Sequence, residues 1–267
     1  MLPDFEIIQH NLYGGHDIVI YPIADVHLGA PDQMEQEFMQ FLDRLKDEPN
    51  AYITLGGDLL NVATKNSLSN VYRERYMFSE AKKMMAEMLE PVKDKILCAV
   101  CGNHERRTMR EVDVDPTYDI MVLLGKEHLY RENIAFVTIR TGEPNTANGK
   151  RRNGIYRPVY NLVVCHGSGG GVLTGSALNR NERFGYVIDG MDALISSHTH
   201  KPLTSQPEKL FIDSRNGKVS LRPFKVIVAT SWLGYSDYAM QKMMLPASHC
   251  LQTLTLCGDH KEIKVTM

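Results

Sequence analysis

The chain has 267 residues, 43% hydrophobic and 23% charged, with 30 Lys and Arg against 32 Asp and Glu and a formal net charge of −2. That composition excludes a disordered or fibrous chain, and the near balance of charge excludes a global pull toward nucleic acid or an anionic membrane. The length suits a single domain over residues 1–267 with a substantial core.

The first residues, MLPDFEIIQH, lack a basic region followed by an apolar stretch, and nowhere do about 18 apolar residues run uninterrupted. No membrane span is expected, and a cytoplasmic location is. The run DIVIYPIAD (17–25) is rich in β-branched residues and ends in an acid, which predicts a buried strand emptying into a loop. Met34, Phe38, Phe41, Leu42 and Leu45 then recur at helical spacing over 33–47 before Pro49 stops the run. AYITLGGD (51–58) predicts a second strand, MFSEAKKMMAEML (77–89) a helix, KILCAVCGNHE (95–105) a third strand and PTYDIMVLLGKE (116–127) another helix. The stripe Met77, Met84, Met85 and Met88 reads as core packing.

Beyond residue 130 the texture turns to strands: 134–140, 159–166, 192–200, then KVSLRPFKVIVAT, CLQTLTLC and KEIKVTM, with one helix near 176–188. Alternating strands and helices followed by a strand-rich half predict an α/β (α+β) fold, two mixed sheets flanked by helices. Ligands in such sheets gather beyond the strand ends. The polar segment 141–158, with Lys150, Arg151, Arg152 and Arg157, reads as a hairpin loop, either a solvated tip or a phosphate-contact patch. Five cysteines at irregular spacing fit a reducing compartment. Cys98 and Cys101 form a C-x-x-C with no second pair to complete a thiolate site, and burial is the simpler reading.

Five polar clusters stand at the predicted strand exits: Asp25 and His27; Asp58; Asn103, His104 and Glu105; His166; His198 and His200. A histidine pair such as His198 and His200 could by itself be a hydrogen-bonded boundary. Together, however, and leaving Glu105 aside, the clusters supply two carboxylates, an amide oxygen and several imidazoles, a mixed donor set suited to divalent Mn, Fe or Zn. Two ions sharing one carboxylate need about seven protein ligands when each keeps open positions. Asp25, His27, Asp58, Asn103, His166, His198 and His200 supply them. Alternation along an extended 198–200 segment would turn both of its imidazoles to one face.

The ordered motifs D-x-H, G-D, G-N-H-E, H and H-x-H resemble those of the calcineurin-like metallophosphoesterases over residues 20–200. The resemblance implies a four-layer αββα sandwich with a dinuclear centre. It assigns Asp25, His27 and His200 to one ion, Asn103, His166 and His198 to the other, and the bridging position to Asp58. It also implies that His104 faces the substrate, as proton donor or charge stabiliser, with Glu105 either orienting it or paired with Arg106 or Arg107. Two divalent ions, Mn2+ first with Fe, Zn or Ni as alternatives, would generate a bridging hydroxide nucleophile and hold the phosphoryl oxygens. Ser197 stands where the family usually has glycine, and Asn61 where an aspartate is frequent; neither change removes a ligand.

The resemblance implies a phosphate-ester substrate. GGDLLNVAT lacks the G-D-x-V-D-R-G run of the protein phosphatases, while ADVHLG and GGDLLN look like the exonucleases of the SbcD kind. A compact phosphodiesterase acting on DNA or RNA is therefore expected ahead of a phosphomonoesterase, and both ahead of a non-catalytic binding subunit. HGSGGG (166–171) could form an anion nest or simply allow close backbone approach. In WLGYSDYA (232–239), Trp232, Tyr235 and Tyr238 could stack a base or pack an edge.

Overall fold

The computed structural model describes residues 5–67, 71–142, 157–170, 173–235, 239–240, 243, 245–246 and 248–267. Apolar β-branched runs form most of its strands: β1 (Ile8–Asn11), β2 (Ile18–Ile23), β3 (Ala51–Leu55), β4 (Ile96–Val100), β5 (Tyr130–Arg131), β6 (Ile134–Arg140), β7 (Val159–Cys165), β8 (Ala193–Ser196), β9 (Leu203–Ser205), β10 (Glu208–Asp213), β11 (Lys218–Pro223), β12 (Lys225–Val228), β13 (Thr253–Leu256) and β14 (Ile263–Thr266). The helices are α1 (Glu35–Asp47), α2 (Phe78–Leu89), α3 (Glu105–Val112), α4 (Pro116–Leu123) and α5 (Thr174–Val187).

Two six-stranded sheets result, ordered β1-β6-β7-β8-β12-β9 and β14-β13-β2-β3-β4-β5. Both are mixed, as predicted. In the second sheet β2, β3, β4 and β5 are parallel while β13 runs antiparallel to β2. Pro22 lies beyond the last β2 residue paired with β13, so its missing N–H removes no ladder bond on that side. In the first sheet β7, β8 and β12 are parallel. The apolar face of α1, Phe38, Phe41, Leu42 and Leu45, joins the main core with the strands of the second sheet, and α5 packs on β8, β9 and β12 of the first. The layers are thus helix, sheet, sheet, helix. No helix among the described residues is long and apolar enough to cross a membrane.

Because β2, β3 and β4 are parallel to one another, and β7 and β8 likewise, the clusters that follow them emerge at strand carboxyl ends. Several predicted boundaries shift. The strand expected over 95–105 ends at Val100, and the chain enters α3 at Glu105. The strand expected over 192–200 ends at Ser196. The run KVSLRPFKVIVAT divides at Phe224 into β11, which among the described residues pairs with β10 in a separate two-stranded ribbon, and β12 in the first sheet. Phe224 is buried where α5 has Gly185, whose added Cβ would meet the ring at 2.4 Å.

Met85 is fully buried and Met84 and Met88 pack against the core, but Met77, at the start of α2, is 76% exposed. The methionine stripe is therefore one residue shorter than its spacing suggested. Segment 143–156, which includes Lys150, Arg151 and Arg152, lies outside the described residues.

Candidate metal centre

Nine non-glycine residues among those described have positive φ, and five of them are predicted ligands: Asp25 (52°), His27 (50°), Asp58 (51°), His198 (72°) and His200 (56°). Left-handed backbone costs such residues about 1–3 kcal/mol each and persists where the surroundings impose it. Here the imposition comes from backbone bonds between the loops: Asp25 N to Gly57 O at 3.0 Å and His27 N to Asp58 O at 2.9 Å. This corrects the extended geometry expected for 198–200. His198 and His200 share a face through two left-handed turns rather than through strand alternation, because β8 has already ended and the His198 N–H is drawn to Asp25 Oδ2 at 2.9 Å.

All eight predicted side chains come together. His200 Nε2 lies 3.3 Å from His27 Nε2 and 3.5 Å from Asp25 Oδ1. Asn103 Oδ1 lies 2.8 Å from His166 Nε2 and 2.6 Å from His198 Nδ1. Asp58 Oδ2 sits between these sets, 3.8 Å from His27 Nε2 and 3.3 Å from His166 Nε2. His166 donates its Nδ1–H to Gly56 O at 2.8 Å, which fixes the ring with Nε2 turned to Asn103 Oδ1 and Asp58 Oδ2. The donors fit a divalent ion. Asp25, His27 and His200 form one metal-sized group, and Asp58, His166 and His198 another. Asp25 Oδ1 is buried with no hydrogen-bond partner, a costly state for a carboxylate oxygen that a cation would relieve.

His104 is set apart by its tethers. Its backbone N–H donates to Asp58 Oδ1 at 2.8 Å and its Nδ1–H to Asn61 O at 2.6 Å, so Nε2 points back toward the cluster, 3.9 Å from Asp58 Oδ2. By proximity it also groups with His27 and Asp58.

Glu105 neither orients His104 nor pairs with an arginine. It is fully buried and accepts three backbone N–H bonds, from Asp58 (2.9 Å) and Gly102 (3.1 Å) on one oxygen and from Leu60 (3.0 Å) on the other. Arg107 instead donates to the carbonyls of Asn61 and Val62, and Arg106 to that of Glu132. The carboxyl group of Glu105 therefore clasps the GGD and GNHE loops to each other. Two glycines permit that contact: a Cβ on Gly102 would lie 2.1 Å from both Asp58 N and Asp58 Oδ1, and one on Gly57 (φ 87°) would lie 2.5 Å from Gly102 N. Ser197 does more than fit. Its buried hydroxyl lies 3.0 Å from the carbonyl oxygens of both Gly56 and His166, joining the ends of the two sheets.

Charge in the cluster is mutually supported. Burial pushes the Asp58 carboxyl up, but His166, His104 and His27 outweigh it and hold the group well below the usual carboxylate range. Burial opposes a charged His166, yet the Asp58 carboxylate beside it pushes the imidazole up to about 9. Burial holds His104, His198 and His27 down. Such opposed shifts within one cluster are typical of functional sites.

The remaining sequence candidates lie elsewhere. Cys98 and Cys101 are free and fully buried, and burial pushes both thiols up, so they are core residues. Trp232 packs on Phe38 and Phe41 with ring centroids 5.0 and 5.4 Å away, and only 8% of it is exposed, which removes it as a base-stacking platform. In HGSGGG, Gly167 and Gly169 have positive φ, and Arg180 bonds the Ser168 carbonyl.

No curated protein matches the chain. Among solved structures, a conserved uncharacterized protein from Streptococcus pneumoniae TIGR4, titled a predicted phosphoesterase, aligns with 94% of this chain and 97% of its own. Its identity is 10% and its TM-score 0.33, too low to carry an argument about the site. A sequence model does carry one: residues 18–202, the span holding every side chain of the cluster, match that of the calcineurin-like phosphoesterases. With two sheets between helix layers and paired His/Asp groups at their strand ends, this chain belongs to the calcineurin-like phosphoesterase family, whose members are metal-dependent phosphoesterases.

Proposed function

We propose that the chain is a phosphodiesterase acting on nucleic acid. Asp25, His27 and His200 would hold one divalent ion and Asn103, His166 and His198 the other, with Asp58 facing both sets. The observation that carries this reading is the position of Asp58 Oδ2, a single carboxylate oxygen facing imidazoles of both sets at 3.8 and 3.3 Å. Two ions held there supply Lewis-acid charge and an acidified water. Mn2+ suits a set made of hard oxygens and borderline imidazoles without thiolate.

His104 is the proton donor to the leaving oxygen. Its Nδ1–H is committed to Asn61 O, which fixes the ring and turns Nε2 to the reacting side. Burial lowers its affinity for a second proton, and the negative charge of a bound phosphate ester acts in the opposite direction. His104→Ala is expected to lower kcat by about 10²–10⁴-fold while leaving metal content unchanged. Loss of metal, measured by elemental analysis of the purified variant, would make His104 a ligand instead.

The diester preference rests on charge around the Asp58 loop. A monoester dianion carries one more negative charge than a diester, and a cation beside the loop would meet it. Position 61 supplies none, since the Asn61 side-chain amide donates to Glu74, and the neighbouring Arg107 guanidinium is committed to the backbone carbonyls of Asn61 and Val62. Mn2+-loaded protein assayed in parallel on an aryl phosphodiester, its monoester, and single- and double-stranded DNA should cleave the diester about tenfold faster than the monoester, a difference of about 1.4 kcal/mol. Faster monoester turnover reverses the preference. Diester cleavage without DNA cleavage removes the nucleic-acid substrate.

A further inference from the structure

A second set of metal donors lies at the opposite end of the second sheet. Strand β13 runs antiparallel to β2, so the turn that follows it stands near the start of β2, away from the strand exits. That turn reads Cys257-Gly258-Asp259-His260-Lys261-Glu262 and closes the β13–β14 hairpin. Glu262 Oε2 lies 3.6 Å from Cys257 Sγ and 3.0 Å from His260 Nε2, and the three donor atoms all fall within 4.8 Å of one another. In a tetrahedral zinc site, bonds of about 2.3 Å to sulfur and 2.0–2.1 Å to nitrogen or oxygen set neighbouring donors about 3.3–3.6 Å apart.

The surroundings shape this set in two ways. Asp259 Oδ1 lies 2.6 Å from His260 Nδ1 and accepts its N–H, which holds the ring with Nε2 turned to Glu262 Oε2 at 3.0 Å. A carboxylate behind a histidine is the usual outer partner of a metal-bound imidazole. The backbone is also already fixed. The buried Tyr160 hydroxyl lies 2.7 Å from Cys257 O and 2.8 Å from His260 O, and it accepts the Glu262 N–H at 3.2 Å. Cys257 N donates to Glu262 O at 3.1 Å, and Gly258 N to Asp17 Oδ1 at 3.0 Å. A Cβ on Gly258 would lie 2.4 Å from His16 O, so the turn needs glycine to reach this position. Lys264 Nζ, 3.5 Å from Glu262 Oε2, is the competing cation, while Lys261 is drawn away to Asp192 at 2.6 Å.

We propose that Cys257, His260 and Glu262 form a mononuclear site for a borderline divalent cation of the zinc class, separate from the strand-exit centre, with the remaining position open to water. On binding, the Cys257 thiol releases its proton to solvent and the sulfur becomes a thiolate ligand. Sulfur distinguishes this site, since the strand-exit cluster contains no cysteine.

Titration of the full chain, stripped of metal, with Co2+ tests the proposal by its sulfur-to-cobalt charge-transfer absorption. The expected result is such a band saturating at one Co2+ per chain. Cys257→Ser should abolish the band and remove one equivalent of bound Co2+, with phosphoesterase activity retained. His260→Ala alters an exposed side chain and is expected to fold; it should weaken the sulfur-ligated Co2+ by about tenfold or more. Absence of the band in the parent protein, its persistence in Cys257→Ser, or unchanged Co2+ affinity in His260→Ala overturns the proposal.

Discussion

Asp58→Asn is expected to lower kcat by on the order of 10³ or more, beyond the 10–100-fold typical of losing an outer partner of a metal ligand. It should also reduce bound metal to less than two ions per chain. The substitution is nearly isosteric, and Oδ1 can still accept the His104 N–H, so the GNHE loop keeps its anchor. What disappears is the anionic Oδ2, which faces His27 Nε2 and His166 Nε2 together. An amide there puts N–H donors where lone pairs are needed and removes one negative charge from a buried cluster dominated by imidazoles. Steady-state kinetics with elemental analysis on the same preparation checks both effects. Near parental kcat with full metal content would remove Asp58 from the proposed bridging position.

Glu105→Ala is expected to destabilise the fold by about 3–5 kcal/mol, since it strands three buried backbone N–H groups, each worth about 1–3 kcal/mol when left without a partner. The measurement is the urea midpoint of metal-free protein at unchanged m-value. Glu105→Gln keeps one accepting oxygen but turns an NH2 toward backbone donors, so its loss should be smaller yet still clear. Kinetics separates this role from the one that sequence proximity suggests. If Glu105 merely oriented His104, its alanine variant would lose activity as His104→Ala does and keep its stability, and that outcome would refute the clasp.

The two variants mark different depths of legibility. Asp58 stands in GGD at the end of an apolar strand, so both its chemistry and its place at a strand exit are readable locally. Glu105 sits beside two arginines, and local reading pairs opposite charges along the chain. The fold instead brings Asp58 and Leu60 to it from 47 and 45 residues away. Ser197 shows the same limit. A small residue at that place is readable as tolerable, but its bond to Gly56 spans 141 residues. Cys257, His260 and Glu262 escaped notice for another reason: one cysteine at irregular spacing carries no motif, and only the turn around Tyr160 gathers its partners.

The family, the alternation of strands with helices and the identity of the residues at the strand exits were determined by sequence alone. Hydrophobic periodicity and donor chemistry are properties of short segments, and they survive without a fold. Only the tertiary structure decided how those residues meet. His198 and His200 converge through left-handed backbone that loop-to-loop hydrogen bonds impose, and the run expected as one strand divides at Phe224, whose ring packs against Gly185. Both depend on neighbours distant in the chain, whose positions are set by packing rather than by local preference.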